Sequence, residues 1–204
     1  PHAIVRRVDT SRAEALPGVL TVLTSLDVLN NEFGYYTYDQ PVLCGPSQKP
    51  FADRVRYVGD RVAAVVAETE AIAAEACELI RVEYEDLPVV CDVEAALQPG
   101  APVLHPDVGS NMFSHHKLYN GDVEAGFRQA DVIVESVLNT PAQEHAYLQT
   151  ESGLAYMDED GRLAVVTTGQ WGQKDRKQIA HALGLAEERV RVIYPMTGGA
   201  FGGR

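Results

Sequence analysis

Four of the six residues at positions 198–203 are glycine, and they directly follow an apolar run at 190–194. This pattern predicts a strand that leads into a loop with an open backbone. Glycine has no Cβ, so such a loop can adopt positive φ and bring its N–H groups close to a ligand. Phe201 lies between small residues, which favours a loop that presents its backbone rather than this ring. A frayed chain end would have the same composition, so both interpretations stay open here.

The composition is that of a globular protein. With 204 residues, the chain is long enough for one large domain or two small ones. Hydrophobic residues make up 46% and charged residues 23%, which is ordinary for a packed domain and argues against disorder. The net charge of −12 argues against nucleic acid as a partner. No apolar run approaches the roughly 20 residues needed to span a membrane, and we expect no membrane partner.

The cysteines and histidines show no metal-binding pattern. Cys44, Cys77 and Cys91 are far apart and lack C-x-x-C spacing. Their odd number fits a reducing compartment, so we expect a cytoplasmic protein without a disulfide framework. The adjacent pair His115 and His116 lies in a polar stretch, which favours a solvated loop over a metal site.

The first half of the chain alternates predicted strands and helices. Thr69 can cap a helix that runs to residue 80, with Cys77 on its buried face. β-Branched and apolar runs predict strands at 3–9, 19–24, 61–67 and 81–85, of which 61–67 reads as buried. Residues 30–53, rich in Asn, Gly, Pro and Tyr, predict a long excursion.

Proline, glycine and asparagine punctuate residues 98–120, which predicts a linker. The second half then predicts a helix at 123–130, a strand at 132–138, a hairpin over 153–168 with its turn at 158–161, and a helix at 175–183 with Gly184 at its end. The coarse picture is two αβ units joined by a linker.

Three segments could carry chemistry, and none is decisive alone. The glycine loop matches neither G-x-x-x-x-G-K-[S/T] nor G-x-G-x-x-G. Segment 142–148 holds Glu144 beside His145, but neighbours on a strand face opposite ways, so a surface turn is favoured there. Trp171, in the T-G-Q-W motif at 168–171, either lines a cleft or anchors packing.

The order of these motifs is more informative than any one of them. It resembles the large subunit of molybdenum hydroxylases, the xanthine dehydrogenase and aldehyde oxidase family. The second half carries Q-E-H-x-Y-L at 143–148, T-x-Q-W at 168–171, L-G-x-x-x-x-x-V-x-V at 183–192 and G-G-x-F-G-G at 198–203. The first half carries P-H-A at 1–3, L-P-G-V at 16–19, Y-V-G-D at 57–60 and V-E-Y-E-D-L-P at 82–88. Directly after the linker comes G-D-V-E-A at 121–125.

The resemblance implies an α+β fold with an α/β hammerhead domain at 1–97, a linker at 98–120 and the start of a molybdopterin-binding domain at 121–204. It implies a molybdenum–molybdopterin cofactor and oxidation of a heteroaromatic or aldehyde carbon with oxygen from water. Iron–sulfur clusters and FAD would lie on partner subunits or domains, and the complex would be a homo-oligomer acting on a small-molecule substrate.

The resemblance also implies which residues approach the cofactor. Gln143 matches the glutamine whose side chain approaches the molybdenum oxo group, and Phe201 matches the residue whose backbone N–H does the same. Gly199, Ala200 and Gly202 complete the cofactor-binding loop. Amide donors suit this role, because a partly negative oxo ligand is stabilised by preorganised N–H groups.

The chain departs from the family pattern G-G-G-F-G-G-K at two positions. Ala200 stands where a glycine is common, and Arg204 stands where a lysine is common. Because alanine tolerates positive φ less well than glycine, a different loop geometry is expected at Ala200. The family's catalytic glutamate lies far downstream, so no catalytic residue is assigned in this chain.

The chain begins at Pro1 without an initiator Met, and we expect it to be a piece of a longer protein. We expect this piece to be inactive by itself. The alternative is a non-catalytic, hammerhead-like module that docks a partner subunit without any cofactor. A reading frame that continues into further glycine-rich loops and a late glutamate would support the enzyme. An early stop would support the module.

Overall fold

The computed structural model describes residues 2–47, 49 and 51–203. The strands are β1 Ala3–Asp9, β2 Val19–Leu23, β3 Arg54–Val55, β4 Ala64–Ala67, β5 Arg81–Asp86, β6 Leu154–Met157, β7 Leu163–Val166 and β8 Val190–Ile193. The helices are α1 Ser11–Glu14, α2 Glu70–Leu79, α3 Val93–Ala96, α4 Val123–Gln129 and α5 Gly172–Leu183, with a 3-10 turn at Glu187–Arg189. The predictions made for Pro1 and Arg204 lie outside the described residues.

These strands form three small sheets. In the first half, β1 pairs antiparallel with both β3 and β5, and β2 pairs antiparallel with β4. In the second half, β6 and β7 form the predicted hairpin, and β8 joins β7 in parallel with Leu163 opposite Val190. The mixture of short sheets with helices agrees with the predicted α+β class.

The first half has two small hydrophobic cores. One lies between β1 and β3 and buries the thiol of Cys44. This burial raises the pKa of the thiol to about 11. The other packs α1 and α2 against β2 and β4 and buries Ala13, Val22 and Ala76. A protonated thiol inside a core acts as a small apolar group.

Helix α2 confirms the predicted cap and corrects the predicted buried face. The Thr69 hydroxyl accepts a hydrogen bond from the Ile72 N–H at 3.3 Å. Ala76 is buried, whereas Cys77 is exposed, so the assignment of Cys77 to the core is wrong. One residue corresponds to about 100° of rotation, which turns Cys77 away once Ala76 faces the core.

In the first half, one further prediction is corrected and one helix was missed. The strand predicted at 61–67 is confined to β4, and none of its residues is buried. This strand lies in a two-stranded sheet, which cannot cover both of its faces. Helix α3 was not predicted, because its four residues are too few to show a periodic pattern, although Asp92 caps it through the Ala95 N–H at 2.6 Å.

Residues 98–120 contain neither helix nor strand within the described part of the chain. Hydrogen bonds nevertheless fix their first half. The Asn111 side chain donates to the carbonyls of Ala96 at 3.0 Å and Pro102 at 2.9 Å, and it accepts from the Leu104 N–H. Arg56 donates to the Leu104 carbonyl at 2.8 Å, which ties this segment to the first half.

The strand predicted at 132–138 is wrong. Val134 and Leu138 are 83% and 89% exposed, and none of the described strands lies beside this segment. A strand is stabilised by pairing with a neighbour, so β-branched residues alone do not produce one. Helix α5 begins at Gly172, three residues before the predicted start, and Gly184 ends it in the left-handed conformation with φ of 64°.

Helix α5 connects the two halves. Its His181 carbonyl accepts from the Asn30 side chain at 2.6 Å, and the His181 ring stacks on Tyr38 with 4.3 Å between centroids. Beside this contact is a cleft of about 1040 Å³ between β2, the 30–53 excursion and α5. None of the described helices is long and apolar enough to cross a membrane.

Candidate functional site

The glycine loop at 198–203 is held against residues 145–149. These residues overlap segment 142–148, which was predicted to carry chemistry together with the loop. The Gly198 N–H donates to the Gln149 side-chain oxygen at 2.8 Å. In return, the Leu148 N–H donates to the Gly198 carbonyl at 3.2 Å. These bonds attach the start of the loop to a segment about 50 positions earlier in the chain.

Glycine is required at both ends of this loop by close contacts. A Cβ on Gly198 would lie 2.8 Å from the Gln149 Cβ. A Cβ on Gly203 would lie 2.8 Å from the Tyr147 ring and 3.0 Å from the His145 ring. Any larger residue would therefore push the loop away from segment 145–149.

The tip of the loop is a tight turn with an unusual residue in it. The Gly203 N–H donates to the Ala200 carbonyl at 2.8 Å, and the two central residues, Phe201 and Gly202, have φ of 49° and 90°. Positive φ at both central positions is typical of a type I′ turn, in which glycine or asparagine is preferred. A left-handed conformation costs a residue such as Phe201 about 1–2 kcal/mol.

The expected difficulty at Ala200 does not arise. Ala200 does not have positive φ, whereas Gly199 does, at 108°. The strained position is Phe201, one residue later. Its side chain is 75% exposed, so the strain is not offset by burial of the ring.

The turn leaves two backbone donors without a partner among the described residues. Across the described residues, the N–H groups of Phe201 and Gly202 have no hydrogen-bond partner. Adjacent N–H groups in a loop with positive φ form a concave site for an anionic or partly negative atom. The site can therefore bind an oxygen ligand through its backbone.

Gln143 lies two residues before His145 in the same irregular segment, and its side chain is exposed. The residues that lie against the loop are His145, Tyr147, Leu148 and Gln149. Gln149 was not singled out from the sequence, since a lone glutamine after an apolar residue gives no signal. The structure thus brings the two segments together through His145, Tyr147, Leu148 and Gln149.

The prediction that Glu144 and His145 face opposite ways is corrected. This segment is not a strand, and Ala146 has φ of 52°. The Glu144 carboxylate accepts from the backbone N–H of His145 at 3.1 Å and lies 4.0 Å from the His145 ring. The alternation that holds for a strand therefore does not apply to them.

The T-G-Q-W motif connects β7 to α5. Trp171 precedes the first residue of α5 and is 56% exposed, so it is not a core anchor. Its ring lies 5.8 Å from that of Tyr35, and Lys174 lies 3.5 Å from the centroid of the same tyrosine. These residues form a partly exposed aromatic cluster at the start of α5.

Within the described part of the chain, no group of three or more His, Cys, Asp or Glu side chains could hold a metal ion. The donors in this region are amides rather than metal ligands.

Two family profiles match the chain. The profile described as "Aldehyde oxidase and xanthine dehydrogenase, a/b hammerhead domain" matches residues 1–88. The profile described as "Molybdopterin cofactor-binding domain" matches residues 104–204, which include the glycine loop and Gln143.

Individual proteins align along the whole chain. It is 44% identical to a probable xanthine dehydrogenase subunit of Bacillus subtilis (strain 168) and 36% identical to the nicotinate dehydrogenase large molybdopterin subunit of Eubacterium barkeri. It covers 26% and 46% of these relatives, so the chain spans about a quarter to a half of their length.

A solved structure shares this architecture. The aldehyde oxidoreductase from Desulfovibrio gigas superposes with a TM-score of 0.85 at 30% sequence identity. The match covers 98% of this chain and 22% of the other.

Proposed function

This chain belongs to the aldehyde oxidase and xanthine dehydrogenase family, and on that basis we propose that it is part of the molybdenum-binding subunit of a hydroxylase. In this proposal, residues 1–97 are the hammerhead domain and residues 98–120 are the linker. Residues 121–204 are the first part of the molybdopterin-binding domain. The observation that carries the proposal is the turn in which the N–H groups of Phe201 and Gly202 have no hydrogen-bond partner among the described residues.

The residues of the loop fit a molybdenum–molybdopterin cofactor. An oxo group on the metal needs hydrogen-bond donors, and the turn supplies two that none of the described residues uses. Phe201 and Gly202 are both exposed.

Each residue then has a defined role. The Phe201 N–H and the Gln143 side-chain amide would hold the oxo group, and Gly202 would add a second backbone donor. Gly199 and Ala200 would give the loop its shape. When bound, the cofactor supplies two-electron oxidation of a substrate carbon with oxygen from water. The contribution of this chain is preorganisation, since fixed N–H dipoles need no rearrangement when charge develops.

The substrate class is a small heteroaromatic molecule or an aldehyde. The relatives are named for xanthine, nicotinate and aldehydes, and the choice among these rests on groups that contact the substrate. A panel of purines, nicotinate and aldehydes tested with the complete protein would identify it.

Electrons would leave through iron–sulfur clusters and FAD on partner subunits or domains. Such clusters require several cysteine ligands close together, whereas Cys44 is buried in a core and Cys77 and Cys91 are exposed elsewhere. Three free thiols also support a reducing, cytoplasmic location. We further propose that the assembled enzyme is a homo-oligomer.

The other candidate, a non-catalytic docking module, is less well supported. A hammerhead-like module would account for residues 1–88 alone. The match of residues 104–204 to a cofactor-binding domain favours the enzyme.

The test is the substitution Gln143→Ala in the complete protein. If Gln143 holds the oxo group, turnover per bound molybdenum falls about 100-fold, the range measured for loss of one preorganised donor. The unfolding midpoint stays within experimental error, because the side chain is exposed. Gln129→Ala, at the exposed end of α4, is the matched control and leaves turnover unchanged. Normal kinetics in the Gln143→Ala protein would remove this residue from the site.

A further inference from the structure

The glycine loop has a second attachment on its upstream side, at the end of β8. The Tyr194 hydroxyl donates a hydrogen bond to the Asp175 carboxylate in the first turn of α5. Both side chains are half-buried. Burial and this bond raise the pKa of Tyr194 to about 12, so its hydroxyl remains a proton donor at physiological pH.

Gly169 in the T-G-Q-W motif is fitted to this pair. A Cβ at position 169 would lie 2.6 Å from both the Asp175 oxygen and the Tyr194 hydroxyl. The edge of the same tyrosine ring lies 3.6 Å from a Cβ built on Gly172. Gly169, in the connection between β7 and α5, therefore makes room for the tyrosine hydroxyl, whereas a Cβ on Gly172, the first residue of α5, would be at ordinary contact distance.

The pair lies at the point where the chain leaves the sheet. Up to Ile193, β8 is held by its pairing with β7, and the Ile193 carbonyl accepts from the Thr167 N–H at 3.1 Å. Tyr194 is the next residue. Only residues 195–197 separate it from Gly198, whose N–H is bound by Gln149 at 2.8 Å. Because only three residues separate the attachment at Tyr194 from the attachment at Gly198, the start of the glycine loop has little freedom to shift.

We propose that Tyr194 and Asp175 are positioning residues that fix the exit of β8 and thereby the placement of the Phe201 and Gly202 N–H donors. The pair acts through the loop and does not itself touch the cofactor. Gly169 belongs to the same device, because any side chain there would displace the tyrosine hydroxyl. The inference rests on the proposed function only for the identity of the group that the Phe201 and Gly202 N–H donors bind.

The test is hydrogen exchange of the complete protein, prepared without molybdenum. Three hydrogen-bonded amides report the seating of the loop: those of Leu148, Gly198 and Gly203. Tyr194→Phe and Asp175→Ala should speed the exchange of these three amides by about fivefold or more, as expected for loss of one hydrogen bond. The exchange is measured in the peptides that contain the three amides. Amides of β7 and of the second half of α5 should keep their rates.

Conservative and control variants separate positioning from general stability. Asp175→Asn keeps an acceptor for the tyrosine hydroxyl and should restore slow exchange. Tyr156→Phe, on β6 of the same sheet, removes a hydroxyl elsewhere and should change nothing. Unchanged exchange in Tyr194→Phe, or equal acceleration across the whole sheet, would overturn the proposal.

This experiment is independent of the cofactor. Selective acceleration of the loop amides supports the positioning pair even if Gln143→Ala leaves turnover unchanged. In the loaded protein, Tyr194→Phe should also lower turnover per bound molybdenum with little change in KM, because the donors and not the substrate contacts are displaced.

Discussion

At the scale of single residues, Phe201 shows how a glycine-rich loop can keep a strained backbone. Its φ of 49° is one that glycine adopts freely and phenylalanine does not. The ring is largely exposed, so burial gives no compensation. Strain of this kind persists where the surrounding structure fixes the geometry, here the turn closed by Gly203 and the bond to Gln149.

Phe201→Gly should therefore stabilise the protein. Relief of about 1–2 kcal/mol of strain is partly offset by the greater entropy of glycine in the unfolded chain, which leaves a gain of about 0.5–1 kcal/mol in the free energy of unfolding. Urea denaturation measures this change. Ala200→Gly is the control, because Ala200 does not have positive φ, and it should destabilise by about 0.5–1 kcal/mol. Changes of the same sign in both variants would contradict the explanation.

At the scale of elements, local signals were sufficient wherever an element is completed by its own neighbours in sequence. The β6–β7 hairpin, the Thr69 cap of α2 and the Gly184 end of α5 were all predicted and are present. The segment 132–138 has the same kind of strand-forming residues but has no partner within the described residues. Pairing is a tertiary property, and residue type alone could not supply it.

The end of α5 gives a prediction at this scale. Gly184 has φ of 64°, and its N–H donates to the His181 carbonyl at 3.1 Å. Gly184→Ala should lower the free energy of unfolding by about 1 kcal/mol, since alanine is strained in the left-handed region. The Leu29 side chain would also have to move.

The control for this variant is Gly126→Ala in the interior of α4. Gly126 does not have positive φ, and none of the described atoms lies within 4 Å of its Cβ position. Alanine favours a helix over glycine by about 1 kcal/mol, so this variant should be neutral or stabilising. Thermal denaturation of the two variants distinguishes the outcomes. A stabilising Gly184→Ala would show that the cap is not formed.

At the scale of the whole molecule, one charged cluster connects the excursion of the first half to α5 of the second. The Glu32 carboxylate lies 2.9 Å from the His181 ring and also binds the Lys49 ammonium. The hydrogen bond from Lys49, followed by that from His181, holds the pKa of Glu32 below its ordinary value of 4.5, although burial acts in the opposite direction.

This shift predicts a specific loss of stability in acid. A carboxylate with a lowered folded pKa stabilises the protein above its unfolded pKa, and the contribution is lost as the pH falls through the folded pKa. Between about pH 6 and about pH 3, the wild type should lose more stability than Glu32→Gln. Urea midpoints at both pH values measure this difference. Glu159→Gln, in the exposed hairpin turn, should follow the wild type. Parallel pH profiles for wild type and Glu32→Gln would contradict the prediction.

Cofactor content is the second prediction at this scale. In the proposed function the chain contributes only one loop and one glutamine to the cofactor, and it spans only 26–46% of the relatives' length. We expect the 204-residue chain by itself to retain far less than one molybdenum per chain. The complete protein should approach one. Elemental analysis of both preparations measures this, and near-stoichiometric metal in the short chain would show that its own residues suffice.

The sequence by itself indicated the family, the order of most elements and the two segments of the proposed site. Motif order and glycine placement are local properties, and they are visible without coordinates. Only the tertiary structure decided that Gln149 receives the loop, that Phe201 rather than Ala200 has the strained backbone, and that Tyr194 and Asp175 meet opposite Gly169. These contacts join residues that are far apart in the chain or belong to different elements. Their geometry depends on how β7, β8 and α5 pack, which residue types do not specify.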